Sequence, residues 1–93
     1  MNSMSSYRLK NIMQIKAREK QYPPGTRVEL IYMDDPYSKL EAGDQGTITA
    51  VDPLGDLEVT WDSGSTLKLI YGVDRFRVIY TSKYRRGAYV TPP

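Results

Sequence analysis

Neither cysteine nor histidine occurs anywhere in the 93 residues. The first absence excludes a disulfide framework, a thiolate metal site and a thiol nucleophile. The second removes the usual general base and the commonest neutral metal ligand. Ser63 and Ser65 have no activating partner nearby in sequence, so they read as turn residues and not as nucleophiles. The expectation is a non-enzymatic chain with no metal and no cofactor. Long apolar runs are also missing: none approaches the ~20 residues of a membrane span, and the first twenty residues lack the apolar centre of a signal peptide. A soluble cytoplasmic protein with no membrane partner is expected, built as one small domain whose core rests on packing alone.

What is present is charge, and it is segregated. The net charge is +2. Residues 1–22 carry five cations against Glu19, and residues 71–93 carry five against Asp74. Between them, Arg27, Lys39 and Lys68 face nine carboxylates. An acidic middle therefore lies between two basic ends.

Ser5 and Ser6 are good N-caps, and the following YRLKNIMQIKAREKQ contains no glycine or proline. It predicts a helix of about three to four turns, with Leu9, Ile12, Met13 and the stem of Lys16 on one stripe and Ile15 off it. Either the helix docks on the rest of the fold or it serves as a basic arm. The Tyr22-Pro23-Pro24-Gly25 stretch ends it. A strand follows over Thr26–Met33, with Val28, Leu30 and Tyr32 toward one face.

Residues 34–45 read as a long irregular connection, of a length that is often functional. GTITAVD supplies a second strand with Ile48 and Ala50 on one face and Thr47, Thr49 and Val51 on the other. A proline-glycine turn at 53–56 leads to a third strand with Leu57, Val59 and Trp61 on one side and Glu58, Thr60 and Asp62 on the other. Ser63-Gly64-Ser65 closes a hairpin onto TLKLI, the fourth strand, and a tight turn at 71–74 leads to RFRVIY, the fifth. Five short strands at this spacing predict a closed or nearly closed barrel, because closure removes exposed edges. Residues 81–93 have no clear period, end in prolines and are expected to be partly mobile. The chain thus divides into a basic N-terminal helix (1–22), a barrel (23–80) and a basic tail (81–93).

Three groups of residues are candidates for binding. Asp34, Asp35, Glu41 and Asp44 surround the long loop, and their spacing matches no cation-binding motif. With Asp56, Glu58 and Asp62 they offer an acidic surface to a basic protein partner, or an imitation of phosphates. Arg75, Arg77, Lys83, Arg85 and Arg86, interleaved with Phe76, Tyr80, Tyr84 and Tyr89, are the best nucleic-acid signal, since cations neutralise phosphates and tyrosines stack on unpaired bases. The competing account is that the basic ends pair with the acidic middle. Trp61 is in phase with Leu57 and Val59, which places it in the core; the alternative is an aromatic contact shared with Tyr32, Tyr37 and Tyr71.

The order of these elements resembles the SH3-like barrels, and GDQGTITAVD resembles the glycine-containing strand start of KOW-type modules. More closely, residues 22–79, with PPGTRVEL, MDDP, GTITAVD, WDSGS and GVDRFRV, resemble the family Domain of Unknown Function 4314. The two basic ends fall outside that resemblance; with the helix read from residues 1–22, the expected fold is mainly β, a small five-stranded SH3-like barrel with an N-terminal α-helix. The family resemblance implies a short protein of phages and mobile elements of Gram-positive bacteria with no assigned catalysis, and so a bacterial host cell as its setting. Small proteins of that kind include inhibitors of CRISPR nucleases. The expected function is therefore an accessory factor that binds a protein, with anti-CRISPR inhibition of a host Cas9-type nuclease as its sharpest form. The alternative is a nucleic-acid-binding module that uses the basic ends.

Overall fold

The computed structural model describes residues 3–80, with side chains from residue 11 onward. One helix, α1 (Ser3–Gln21), precedes four strands: β1 (Arg27–Tyr32), β2 (Gln45–Val51), β3 (Leu57–Trp61) and β4 (Arg75–Ile79). The strands form one antiparallel sheet in the order β3-β2-β1-β4. The core is Val28, Leu30, Ile48, Leu57, Val59, Trp61 and Leu69, with Tyr22, Met33, Leu40, Val51 and Phe76 packed against it. Every one of the seven comes from an inward strand position except Leu69, which lies beside β3, bridged to Leu57.

The sheet is open, and the expected closed five-stranded barrel is not formed among the described residues. The segment predicted as a fourth strand touches β3 through a single bridge, Leu57 to Leu69. At the turn end, Trp61 N donates to Ser65 O at 3.0 Å. In that register Leu67 would face Val59. Its carbonyl instead accepts the Trp61 indole Nε1–H at 2.8 Å, and its amide donates to Ser65 Oγ at 3.2 Å. Satisfying a buried indole thus interrupts the ladder that would have made a strand.

Two bulges shift the expected alternation. In β2 the register slips between Ile48 and Ala50, so Ile48 pairs with Val59 and Val51 with Leu57, while Ala50 pairs with Glu58. Val51, expected outside, therefore packs on the core, and Ala50 leaves the core face. In β1 the slip between Leu30 and Tyr32 leaves Tyr32, expected inside, 55% exposed.

Gly46 faces Trp61 across the β2–β3 ladder, and a methyl group there would lie 2.8 Å from Val59 Cγ1 and 2.9 Å from Trp61 Cε3. The tryptophan ring fits because that position has no side chain. At the next turn, Gly55 adopts φ +91° and donates its amide to Asp52 O at 2.8 Å, closing the Asp52-Pro53-Leu54-Gly55 turn.

The helix is longer than expected and includes Ser5 and Ser6 instead of starting at them. It docks, but not by the predicted stripe: Ile12 and Met13 are exposed, whereas Ile15 and Arg18 are half-buried. Arg18 Nη1 donates to Gly55 O at 2.9 Å, and its guanidinium lies 3.6 Å from the Tyr71 ring centroid. Tyr22 follows one turn later and meets Tyr71 and Phe76 edge-on, with centroids 6.4 and 5.4 Å apart. The docking line is cationic and aromatic, which a search for apolar residues overlooks.

Candidate functional site

Because the sheet does not close, the segment beside β3 and the chain leaving β1 must be joined in some other way. The turn after the β3-flanking segment brings Asp74 back over them: Val73 N and Asp74 N both donate to Ile70 O, at 3.0 and 2.9 Å. The Asp74 carboxylate, buried, then accepts the Ile70 amide on Oδ2 at 2.7 Å and the Asp34 amide on Oδ1 at 2.9 Å. Ile70 ends the segment beside β3, and Asp34 follows β1. One carboxylate at the head of β4 therefore clasps the segment beside β3 to the chain leaving β1.

Beside this clasp is a cleft of about 310 Å³, lined by Met33, Asp34, Asp35, Leu67, Lys68, Ile70 and Asp74. Its floor is apolar, with Leu67 and Ile70 37% and 42% exposed. Asp34 and Asp35 stand on one rim. The Asp34 carboxylate makes no ion pair among the described residues, and Asp35 Oδ1 accepts only the Tyr37 amide, at 2.9 Å. On the other wall, Lys68 turns its backbone N–H and C=O groups away from β3, as does Thr66 two residues back and outside the lining, and these groups make no hydrogen bond among the described residues.

The one cation lining the cleft is already engaged. Lys68 Nζ donates to Asp52 Oδ2 at 2.7 Å, while Asp52 Oδ1 accepts the Leu54 and Asp56 amides, both at 2.9 Å. The hydrogen bond from Lys68 holds the buried Asp52 carboxyl below the ordinary aspartate value of 3.8, against the upward push of desolvation. The same bond raises Lys68, with Glu58 and Asp56 adding smaller contributions.

The predicted acidic set is thus divided. Asp34 and Asp35 reach the cleft. Asp44 is spent on the loop itself, with Oδ2 accepting the Glu41 amide at 3.0 Å. Asp56 accepts the Tyr71 amide at 3.0 Å, and it stands with Glu58 near Lys68. Asp62 is matched on the outer face by both Arg27 nitrogens, at 2.8 and 2.6 Å, and that pairing holds its carboxyl low.

Among the predicted cations, Arg77 pairs with Glu29 at 2.7 Å and Arg75 is exposed. Lys83, Tyr84, Arg85 and Arg86 lie outside the described residues. The aromatic candidates do not assemble into one groove: Trp61 is buried in the core, Tyr71 is stacked under Arg18, and Tyr37 stands 90% exposed.

Sequence reasoning missed Asp52 and Asp74, the two buried carboxylates. Asp52 had a signal, an aspartate opening a Pro-Leu-Gly turn, where its side chain can accept amides. Asp74 had none beyond being the sole acid among the cations of residues 71–93.

No helix among the described residues is long and apolar enough to cross a membrane. No curated protein and no solved structure matches the chain. A family model does match, over residues 10–79, and so takes in the docked part of α1 that the motif resemblance over 22–79 had left out. That match covers three quarters of the sequence, and the chain belongs to the family described as Domain of unknown function (DUF4314).

Proposed function

We propose that the chain is a non-enzymatic protein-binding module that seats an extended segment of a partner in the cleft beside Asp74. The observation that carries this reading is the combination of an exposed apolar floor, two rim carboxylates without cations, and the backbone of Lys68, unpaired among the described residues. An extended segment can hydrogen-bond to such an edge while it buries one side chain and presents the next to the rim. The fitting partner segment has an apolar residue beside lysine or arginine, as the basic surfaces of nucleic-acid enzymes do. The lack of histidine and cysteine supports binding over catalysis. The sharpest form keeps the phage or mobile-element setting and makes the target a Cas9-type nuclease.

The test is a paired pull-down with the wild-type chain and the Asp34→Asn/Asp35→Asn variant as baits, alongside cleavage assays on a panel of Cas9 enzymes. A protein retained by the first bait and lost by the second supports the cleft reading. Identical retention by both baits overturns it, and untouched cleavage with no co-elution removes the Cas9 form. The alternative, a nucleic-acid module, keeps Arg75 but loses Arg77 to its pair with Glu29. It requires a low-salt gel shift that Arg85→Ala/Arg86→Ala abolishes.

A further inference from the structure

The two edges of the sheet differ. The β3 edge is met by the segment that follows it, through the bridge of Leu57 to Leu69. β4 ends the sheet on the other side, and no described residue pairs with its outer edge. Register identifies the groups that stand there. Thr26 and Leu30 bond toward β2, with Thr26 O accepting Ile48 N and Leu30 N donating to Asp44 O, both at 2.8 Å. Backbone groups alternate in direction along a strand, so Arg27 and Glu29 bond toward β4, where their partners are Ile79 and Arg77. Phe76 and Val78 therefore turn their N–H and C=O groups outward, and these make no hydrogen bond among the described residues.

We infer that the β4 edge pairs with an extended acidic segment of another protein, one in which apolar and carboxylate side chains alternate. Phe76 and Val78 lie opposite Leu30 and Val28 and face the core side, whereas Arg75 and Arg77 are exposed on the outer side. A strand added antiparallel to β4 sets apolar residues against the first two and carboxylates against the arginines. Arg75 forms no ion pair among the described residues. Arg77 gives one nitrogen to Glu29 at 2.7 Å, and its side chain stays 59% exposed, which leaves guanidinium donors for a second carboxylate. Of the devices that blunt an edge, proline and an inward charge are absent from β4; its charges point outward, where they select by sign. A second copy fits poorly. Pairing β4 with itself about Arg77 sets that residue against its own copy, and pairing about Phe76 sets Arg75 against Arg77, like charges directly opposed. Centred on Val78, the pairing puts each Arg77 beside Ile79 and offers neither arginine a carboxylate.

This edge shares no residue with the cleft, so it holds or fails independently of the reading above. The probe is a capped peptide, Thr-Val-Glu-Val-Glu, titrated to millimolar concentration into the isotope-labelled full chain and followed by NMR. Lying antiparallel, its valines meet Val78 and Phe76 and its glutamates meet Arg77 and Arg75. The expected result is saturable shifts and severalfold slower exchange of the Phe76 and Val78 amides, with the β3 amides unmoved. Lysine in place of both glutamates reverses two cross-strand charge pairs and weakens binding roughly tenfold. N-methylation of the two valines, whose amides point at β4, abolishes binding; N-methylation of the two glutamates, whose amides point away, preserves it.

No shift at millimolar peptide, equal binding by the two N-methylated forms, or shifts centred on Asp34 and Ile70 overturns the proposal. A shift of Phe76 and Val78 that grows with protein concentration in the absence of peptide assigns the edge to a second copy and overturns it as well.

Discussion

Two buried aspartates carry different loads, and conservative substitution separates them. In Asp74→Asn the new amide group must face either the Ile70 or the Asp34 N–H, so one part-buried donor loses its acceptor inside the buried clasp, at about 1–3 kcal/mol. In Asp52→Asn the remaining oxygen can keep both turn amides, and only the half-exposed pair with Lys68 is lost. The expected order of urea midpoints is wild type, then Asp52→Asn, then Asp74→Asn; the reverse order would refute the clasp. Gly46→Ala tests the packing of Trp61. The added methyl meets Val59 and the indole inside 3 Å, and overpacking of this kind costs about 1–3 kcal/mol. At this chain length the melting temperature, followed by the fluorescence of the single tryptophan, should fall by about 4–8 °C for each kcal/mol.

Among the elements, the sheet was the most readable in the sequence and the helix the least. The inward set Val28, Leu30, Ile48, Leu57, Val59, Trp61 and Leu69 follows from alternation alone. The bulges at Thr49 and Ile31 do not, because a pattern of period two holds no record of where a register slips. Leu67 was read as strand for the same reason, and an indole seeking an acceptor decided otherwise.

The helix misled because its docking contacts are Arg18 and Tyr22, polar in name yet broad and flat enough to pack. Arg18→Ala removes the bond to Gly55 O and the stacking on Tyr71, and a lone helix of this length is marginal in water. Hydrogen exchange should then show the amides of residues 14–21 losing protection while those of β1 and β2 keep theirs. Equal loss in both would mean that the helix is integral to the sheet.

For the whole molecule, the charged contacts bracket neutral pH. Asp52 and Asp62 have folded values held below 3.8, so their contribution is fully present above about pH 4 and is lost as pH falls through the depressed values. Lys68 is raised from 10.5, so its contribution is present below that value and is lost as pH rises through the folded one. With no histidine or cysteine between these limits, the melting temperature should be flat from about pH 5 to 9 and fall below pH 4. Asp52→Asn should shallow the acid limb, and a step near neutrality would contradict the scheme.

The candidate site was legible only in part at this scale. Asp34 and Asp35 were chosen as acids of a long loop, but the cleft they rim arises from a failure of closure that no local pattern records. Asp74 gives that failure a kinetic side. Because a single carboxylate holds Ile70 and Asp34 together, releasing it frees both at once, so the two amides should exchange with solvent at one shared rate. The cleft would then open like a book on a common spine, its width set by a single equilibrium.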